Sequence, residues 1–179
     1  DVLIKSVASV SDKNIQLSIY GDGPDSDNLI ELIVKLDAKN IKYYGRVEKE
    51  QVSEAYLSHH VVVVPRINSA VTAMVPPLKP LEAIWNGLPV ITSDLPAIKE
   101  IMGSLNSVIY TSPGNAGSLI EGILKMQSEY DFFKSLILFI KKSYEDIQLY
   151  HTSYLKNPIH YHTMLRFCPY FCQPHLSNL

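Results

Sequence analysis

Four places in this sequence carry residue types whose spacing could do chemistry. Gly21-Asp22-Gly23-Pro24 follows the alternating run Ile15–Tyr20. Glycines let the backbone approach an anion closely, and a helix start behind them adds a positive dipole end. The same composition also makes an ordinary turn. Arg46 closes a second short apolar run, where its planar fork could hold a phosphate or simply face water. Lys79 falls in the first turn of a helix, a placement the helix dipole does not reward. Glu82 lies one turn further along the same face. Its carboxylate could accept hydrogen bonds from sugar or ribose hydroxyls, or pair with Lys79. Asp94 reads as a helix cap and Glu100 as a surface charge. His59 and His60, before an apolar run, are weaker candidates. There is no Ser-His-Asp order, phosphate-binding Walker loop or HExxH motif.

The elements that would position these groups alternate. Val2–Val10 is apolar at helical spacing, and Ile15–Tyr20 is a strand by its period of two. Asp25 or Ser26 then caps a helix reaching Leu36. Ile41–Tyr44 is a short strand ending at Gly45-Arg46, followed by a helix over Glu48–Leu57. The unbroken Val61-Val62-Val63-Val64 suits a central parallel strand covered on both faces. A long loop from Arg66 to Pro77 leads into a helix over Leu78–Trp85, stopped by Asn86-Gly87. Pro89–Thr92 is the next strand, and Pro96 opens a helix through Met102. Ser107–Tyr110 is the last strand and Ser118–Met126 a further helix. Strands and helices alternating over short loops imply right-handed βαβ units, hence an α/β fold with a parallel sheet of about five strands flanked by helices. In such a sheet ligands bind outside the carboxyl ends of the strands. The loops at Gly21–Pro24, Gly45–Val47, Arg66–Lys79 and Thr92–Pro96 all follow strands.

The 179 residues suffice for one such domain with a core. A hydrophobic share of 46%, a charged share of 19% and a net charge of −2 give no electrostatic case for nucleic acid. No apolar run reaches the ~20 residues a membrane-spanning helix needs, and we expect no signal peptide. We therefore expect a cytoplasmic protein, with peripheral membrane contact left open. The chain opens on Asp1 as if inside a helix, and we expect a trimmed piece of a longer protein. Residues 1–127 form the expected domain, 128–150 a C-terminal helix and 151–179 a tail of open role. His160, His162, Cys168 and Cys172 lie in that tail without the spacing of a zinc site, so no metal is expected.

Ile19-Tyr20-Gly21-Asp22-Gly23-Pro24 resembles the phosphate-side turn of the C-terminal domain of retaining GT-B glycosyltransferases of the group 1, or family 4, type. Asn40-Ile41-Lys42-Tyr43-Tyr44-Gly45-Arg46-Val47 resembles the next strand and its base-contacting loop. Most specific is Pro77-Leu78-Lys79-Pro80-Leu81-Glu82-Ala83-Ile84-Trp85-Asn86-Gly87-Leu88-Pro89-Val90-Ile91, which is similar to the donor-site helix and the strand after it. Asp94–Ile101 continues the match, and coverage is about residues 1–125.

The resemblance implies the Rossmann-like C-terminal half of a GT-B fold, binding a UDP- or GDP-linked sugar as substrate, with no cofactor and no metal. By it, Gly21, Gly23, Arg46, Val47, Leu78 and Glu82 would contact the nucleotide. Glu82 would bind the ribose hydroxyls, and Lys79 and Glu82 would form the catalytic pair. The family has a second glutamate upstream, which would fall near Ala73 or Met74. Its diphosphate-binding arginine and lysine, and its acceptor-binding N-terminal domain, would precede Asp1. The expected activity is transfer of a hexose with retention in polysaccharide or glycoconjugate biosynthesis, with the isolated chain inactive. Two alternatives stand: a non-catalytic nucleotide-sugar-binding or regulatory module, and a nucleotide-sugar epimerase of similar fold.

Overall fold

The computed structural model describes residues 1–12, 14–103 and 105–154; the side chains of 49 and 143–154 lie outside that description, as do the tail cysteines, His160 and His162. Among the described residues the order is α1 (Val2–Ser9), β1 (Leu17–Tyr20), α2 (Ser26–Lys35), β2 (Ile41–Gly45), a 3-10 turn (Lys49–Gln51), α3 (Val52–Leu57), β3 (Val62–Val64), α4 (Ala70–Met74), α5 (Lys79–Trp85), β4 (Val90–Ser93), α6 (Pro96–Met102), β5 (Val108–Thr111), α7 (Ala116–Ser128) and α8 (Tyr130–Tyr154). The expected α/β fold with parallel strands flanked by helices is what forms.

The five strands pair in two groups. β1 pairs parallel with β2, and β3, β4 and β5 pair in that order, also parallel. This corrects the expectation of a central β3. The strand with neighbours on both sides is β4, and all four of its residues are buried, whereas β3 is only half-buried. The valine run satisfied the pattern of a covered strand. Thr92 and Ser93 disguised β4, because in the fold both hydroxyls have partners: Thr92 Oγ1 donates to Val64 O at 3.1 Å and Ser93 Oγ to Arg66 O at 2.8 Å.

Alternation along β4 divides the core. Ile91 enters a cluster with Ile4 and Val7 of α1, Leu119, Ile123 and Met126 of α7, and Phe133 of α8. Val90 enters a second cluster with Ala83, Leu88, Leu95, Ile98 and Met102. Ile91 and Val90 are both fully buried, each burial worth about 1.5–3 kcal/mol. α8 is tied down by Lys134, whose Nζ donates to Gly87 O at 2.7 Å.

Three local readings change. The Arg66–Pro77 loop contains α4, started by a capping box in which Ser69 Oγ accepts from Thr72 N–H and the Thr72 hydroxyl accepts from Ser69 N–H. The expected single helix over Glu48–Leu57 divides into a 3-10 turn and α3. Asp94 is not a cap: Leu95 holds the N-cap position of α6, and Asp94 pairs with Lys99 at 2.8 Å.

Candidate functional site

Two loops at the ends of β1 and β2 come together. Gly21 N–H donates to Gly45 O at 2.7 Å, and Arg46 faces Asp22 at 4.0 Å with both side chains exposed. Such an exposed pair is worth little, so the guanidinium remains available to an anion. Val47 follows directly on the chain. Gly21 has φ +128°, a conformation that L side chains rarely adopt. Gly23 is not in that region, and a Cβ at either glycine would meet nothing within 4 Å.

The turn is braced from within. Gly23 N–H donates to Ser26 Oγ at 3.0 Å, Ser26 being the first residue of α2. Tyr43 Oη reaches both Gly21 O at 2.6 Å and Ser26 Oγ at 2.8 Å. Asp25 occupies the N-cap position without a side-chain cap bond. The two glycine amides are thus engaged within the turn, Gly21 by Gly45 and Gly23 by Ser26. An anion at this turn would have to displace Ser26 or use other donors.

The second group sits on α5. Leu78 is its N-cap and exposed, Lys79 begins the helix and is exposed, and Pro80 beneath them is buried. Among the described residues no ion pair joins Lys79 to Glu82. Instead Tyr56 Oη, on α3, donates to Glu82 Oε2 at 3.0 Å. The phenol is pushed up to about 12, first by burial and then by the Glu82 carboxylate that accepts its proton. Asn86 Nδ2 donates to Glu82 O at 2.7 Å and closes the helix end.

The two groups are linked indirectly. Tyr20 stacks on Tyr44 with ring centroids 4.9 Å apart and meets His59 edge-on at 5.6 Å. His59 Nδ1 lies 2.6 Å from Ala55 O on α3, one residue before Tyr56. Among the described residues no hydrogen bond or ion pair joins Glu82 to Gly21 or Gly23. His60 packs edge-on against Tyr130 at 5.3 Å, a structural use.

The loop after β3 leads into α5. Arg66 N–H donates to Ser93 Oγ at 2.7 Å, and Arg66 Nη1 donates to Val75 O at 2.7 Å, which pins the segment carrying α4. Ala73 is half-buried and Met74 is 71% exposed, so α4 offers no carboxylate. Beside this loop a cavity of about 120 Å³ is lined by Pro65, Arg66, Ser93, Thr111 and Asn115 among others. A larger cavity of about 670 Å³ lies away from these groups, against β5, α7 and α8. No group of three or more His, Cys, Asp or Glu among the described residues could hold a metal. No described helix is long and apolar enough to cross a membrane.

Sequence reasoning named Ser26 only as a helix cap and found neither the brace from Tyr43 nor the contact from Tyr56. Tyr56 is separated from Glu82 by 26 residues, and no local periodicity reports a contact between two different helices.

The sequence profile of the family described as Glycosyl transferases group 1 matches residues 1–146. An uncharacterized glycosyltransferase of Methanocaldococcus jannaschii is 26% identical over 144 residues, 79% of this chain and 36% of its own length. The chain therefore spans about a third of the curated relative it matches. The fold is similar to the catalytic domain of cholesterol-alpha-glucosyltransferase from Helicobacter pylori, with TM-score 0.60 and 24% identity over 79% of this chain and 86% of that one. It is also similar to Anabaena HepE in complex with UDP and glucose, with TM-score 0.62 and 15% identity over 82% of this chain and 43% of that one. The parallel strands, the glycine turn and the α5 helix thus occur in a chain most of which the family profile covers, and the chain belongs to the group 1 glycosyltransferase family.

Proposed function

We propose that this chain is the nucleotide-sugar-binding, C-terminal half of a retaining hexosyltransferase. The carrying observation is Glu82, a carboxylate held in place near the start of α5 by Tyr56 rather than neutralised by Lys79. In that position it accepts hydrogen bonds from the ribose hydroxyls of a UDP- or GDP-linked sugar. Lys79 and Arg46, both exposed cations, stabilise the leaving diphosphate, which is where negative charge develops during transfer. Val47 and the Gly45 backbone face the base, Gly21 and Gly23 the phosphate side, and Leu78 the nucleotide from the α5 start. Anabaena HepE, bound to UDP and glucose, supports this donor class. The residues present need no metal for the step, and acceptor binding and the remaining phosphate contacts belong to a partner domain.

The test uses the full-length protein. UDP- and GDP-sugars are offered with acceptor, and the anomeric configuration of the product is followed by NMR. Glu82→Gln should weaken nucleotide binding about tenfold or more, since bonds to a charged acceptor are worth about 1.5–3 kcal/mol each. Unchanged affinity, or an inverted product, sinks the respective part. A second reading has its own observation: α4 presents Ala73 and the exposed Met74 where the family resemblance places a glutamate. It fits a module that binds nucleotide-sugar without transferring it. Binding without turnover in the full-length protein would establish that reading.

A further inference from the structure

We propose that Tyr56 is a positioning residue that sets the Glu82 carboxylate for the ribose, by holding Oε2 from α3. The proposal rests on the ribose-binding reading of Glu82.

Glu82 is exposed, and an exposed glutamate ordinarily samples many rotamers, whose loss must be met on binding. Tyr56 removes that cost in advance. Its ring is half-buried and packs against the cluster of Ala83, Leu88, Val90 and Leu95. The phenol therefore cannot swing away without leaving the core. Its Oη sits 3.0 Å from Oε2. A single bond to one oxygen restrains the carboxylate, which has further lone pairs with which to accept from a ligand. The backbone of Glu82 is held as well, through Asn86 Nδ2. A group fixed in its bound geometry before the ligand arrives gains affinity by lowering the ordering cost. Because the phenol keeps its proton up to about pH 12, it remains a donor at every working pH. A competing role, that Tyr56 merely tethers α3 to α5, predicts the same bond but no dependence on the ribose.

The experiment uses the full-length enzyme and four probes: UDP, GDP and the 2′,3′-dideoxy form of each. Tyr56→Phe keeps the ring in the core and removes only the hydroxyl, and a thermal melt checks that the fold is retained. For whichever nucleotide the enzyme binds, Tyr56→Phe should raise Kd about three- to tenfold, the range of one lost hydrogen bond. It should leave the Kd of the dideoxy form unchanged, raise the donor KM, and leave kcat unchanged. Tyr56→Phe combined with Glu82→Gln should bind no more weakly than Glu82→Gln alone. If Glu82→Gln weakens the natural nucleotide and Tyr56→Phe does not, the positioning role is wrong and the ribose reading survives. If Tyr56→Phe weakens natural and dideoxy forms alike, the residue is a tether and the proposal fails. If Glu82→Gln changes nothing, or neither nucleotide binds, the ribose reading falls and takes this proposal with it.

Discussion

Replacing Gly122 by alanine should destabilise the protein although it improves the intrinsic helix propensity of α7. A Cβ at Gly122 would lie 2.8 Å from Thr111 Cγ2, 3.3 Å from Ile109 Cγ2 and 3.5 Å from Ile91 Cγ2. Carbon atoms in contact sit at about 3.5–4.0 Å, so the nearest pair must separate by most of an ångström. Thr111 cannot rotate freely to relieve it: the residue is 3% exposed, and its Oγ1 donates to Thr92 O at 3.2 Å. The relief has to come from α7 moving off the β4–β5 face, where Leu119, Ile123 and Met126 pack. Overpacking of this kind costs about 1–3 kcal/mol, against roughly 1 kcal/mol gained by replacing glycine in a helix interior. The expected net loss is about 1 kcal/mol, read as a lower urea midpoint at unchanged slope. Gly117→Ala is a milder comparison: its Cβ would meet only Asn115 Oδ1, at 3.3 Å, although that oxygen also accepts the α7 cap bond from Ser118 N–H. Thr111→Ser, which keeps the hydroxyl and deletes Cγ2, should recover much of the loss when combined with Gly122→Ala. A Gly122→Ala midpoint at or above that of the parent protein would refute the reasoning.

Ser93→Ala should cost about 1–3 kcal/mol, because it leaves both Arg66 backbone groups without their 2.7 and 2.8 Å partner; urea unfolding measures the loss, and faster proteolysis within residues 66–77 should accompany it. Lys134→Met should lower the thermal midpoint by a few degrees, about 1 kcal/mol, by removing the bond to Gly87 O that ties α8 to the α5–β4 turn; an unchanged melt would show that α8 docks through its apolar face alone. Alkali should weaken the fold. Tyr56, Tyr110 and Tyr130 are all raised above 10.0, first by burial, so the folded protein holds these protons more tightly than the unfolded chain. Each contribution is complete below pH 10 and is lost as pH rises through the folded-state value, which for Tyr56 is about 12. Urea midpoints across that window should fall, and less steeply in Tyr56→Phe; a parallel slope in that variant would contradict the assignment.

Much of the framework was legible in the sequence because it is encoded over short distances. The alternation of Leu17–Tyr20, the helical spacing of Val2–Ser9, the stop at Asn86-Gly87 and the start at Pro96 are set by side-chain period and by allowed φ, which neighbouring residues determine. α4 escaped because five residues give too little periodicity, and its signal was the Ser69–Thr72 cap rather than a hydrophobic pattern. The candidate site was legible in part. The resemblance around Lys79–Ile91 located α5 and Glu82, and order along the chain placed the Gly21–Pro24 turn after a strand.

What the sequence by itself determined is the alternation of strands and helices, the ends of most of them and the family. Tertiary structure alone decided which strand is central: Val61–Val64 and Val90–Ser93 each suit burial, and only lateral pairing distinguishes them, through hydroxyl bonds that make Thr92 and Ser93 fit for the interior. It likewise decided that Asp94 pairs with Lys99, that Gly23 N–H donates to Ser26 Oγ, and that Glu82 answers to Tyr56 on another helix. Those outcomes depend on distances between residues far apart along the chain or on competition among nearby donors, and neither is written in local periodicity.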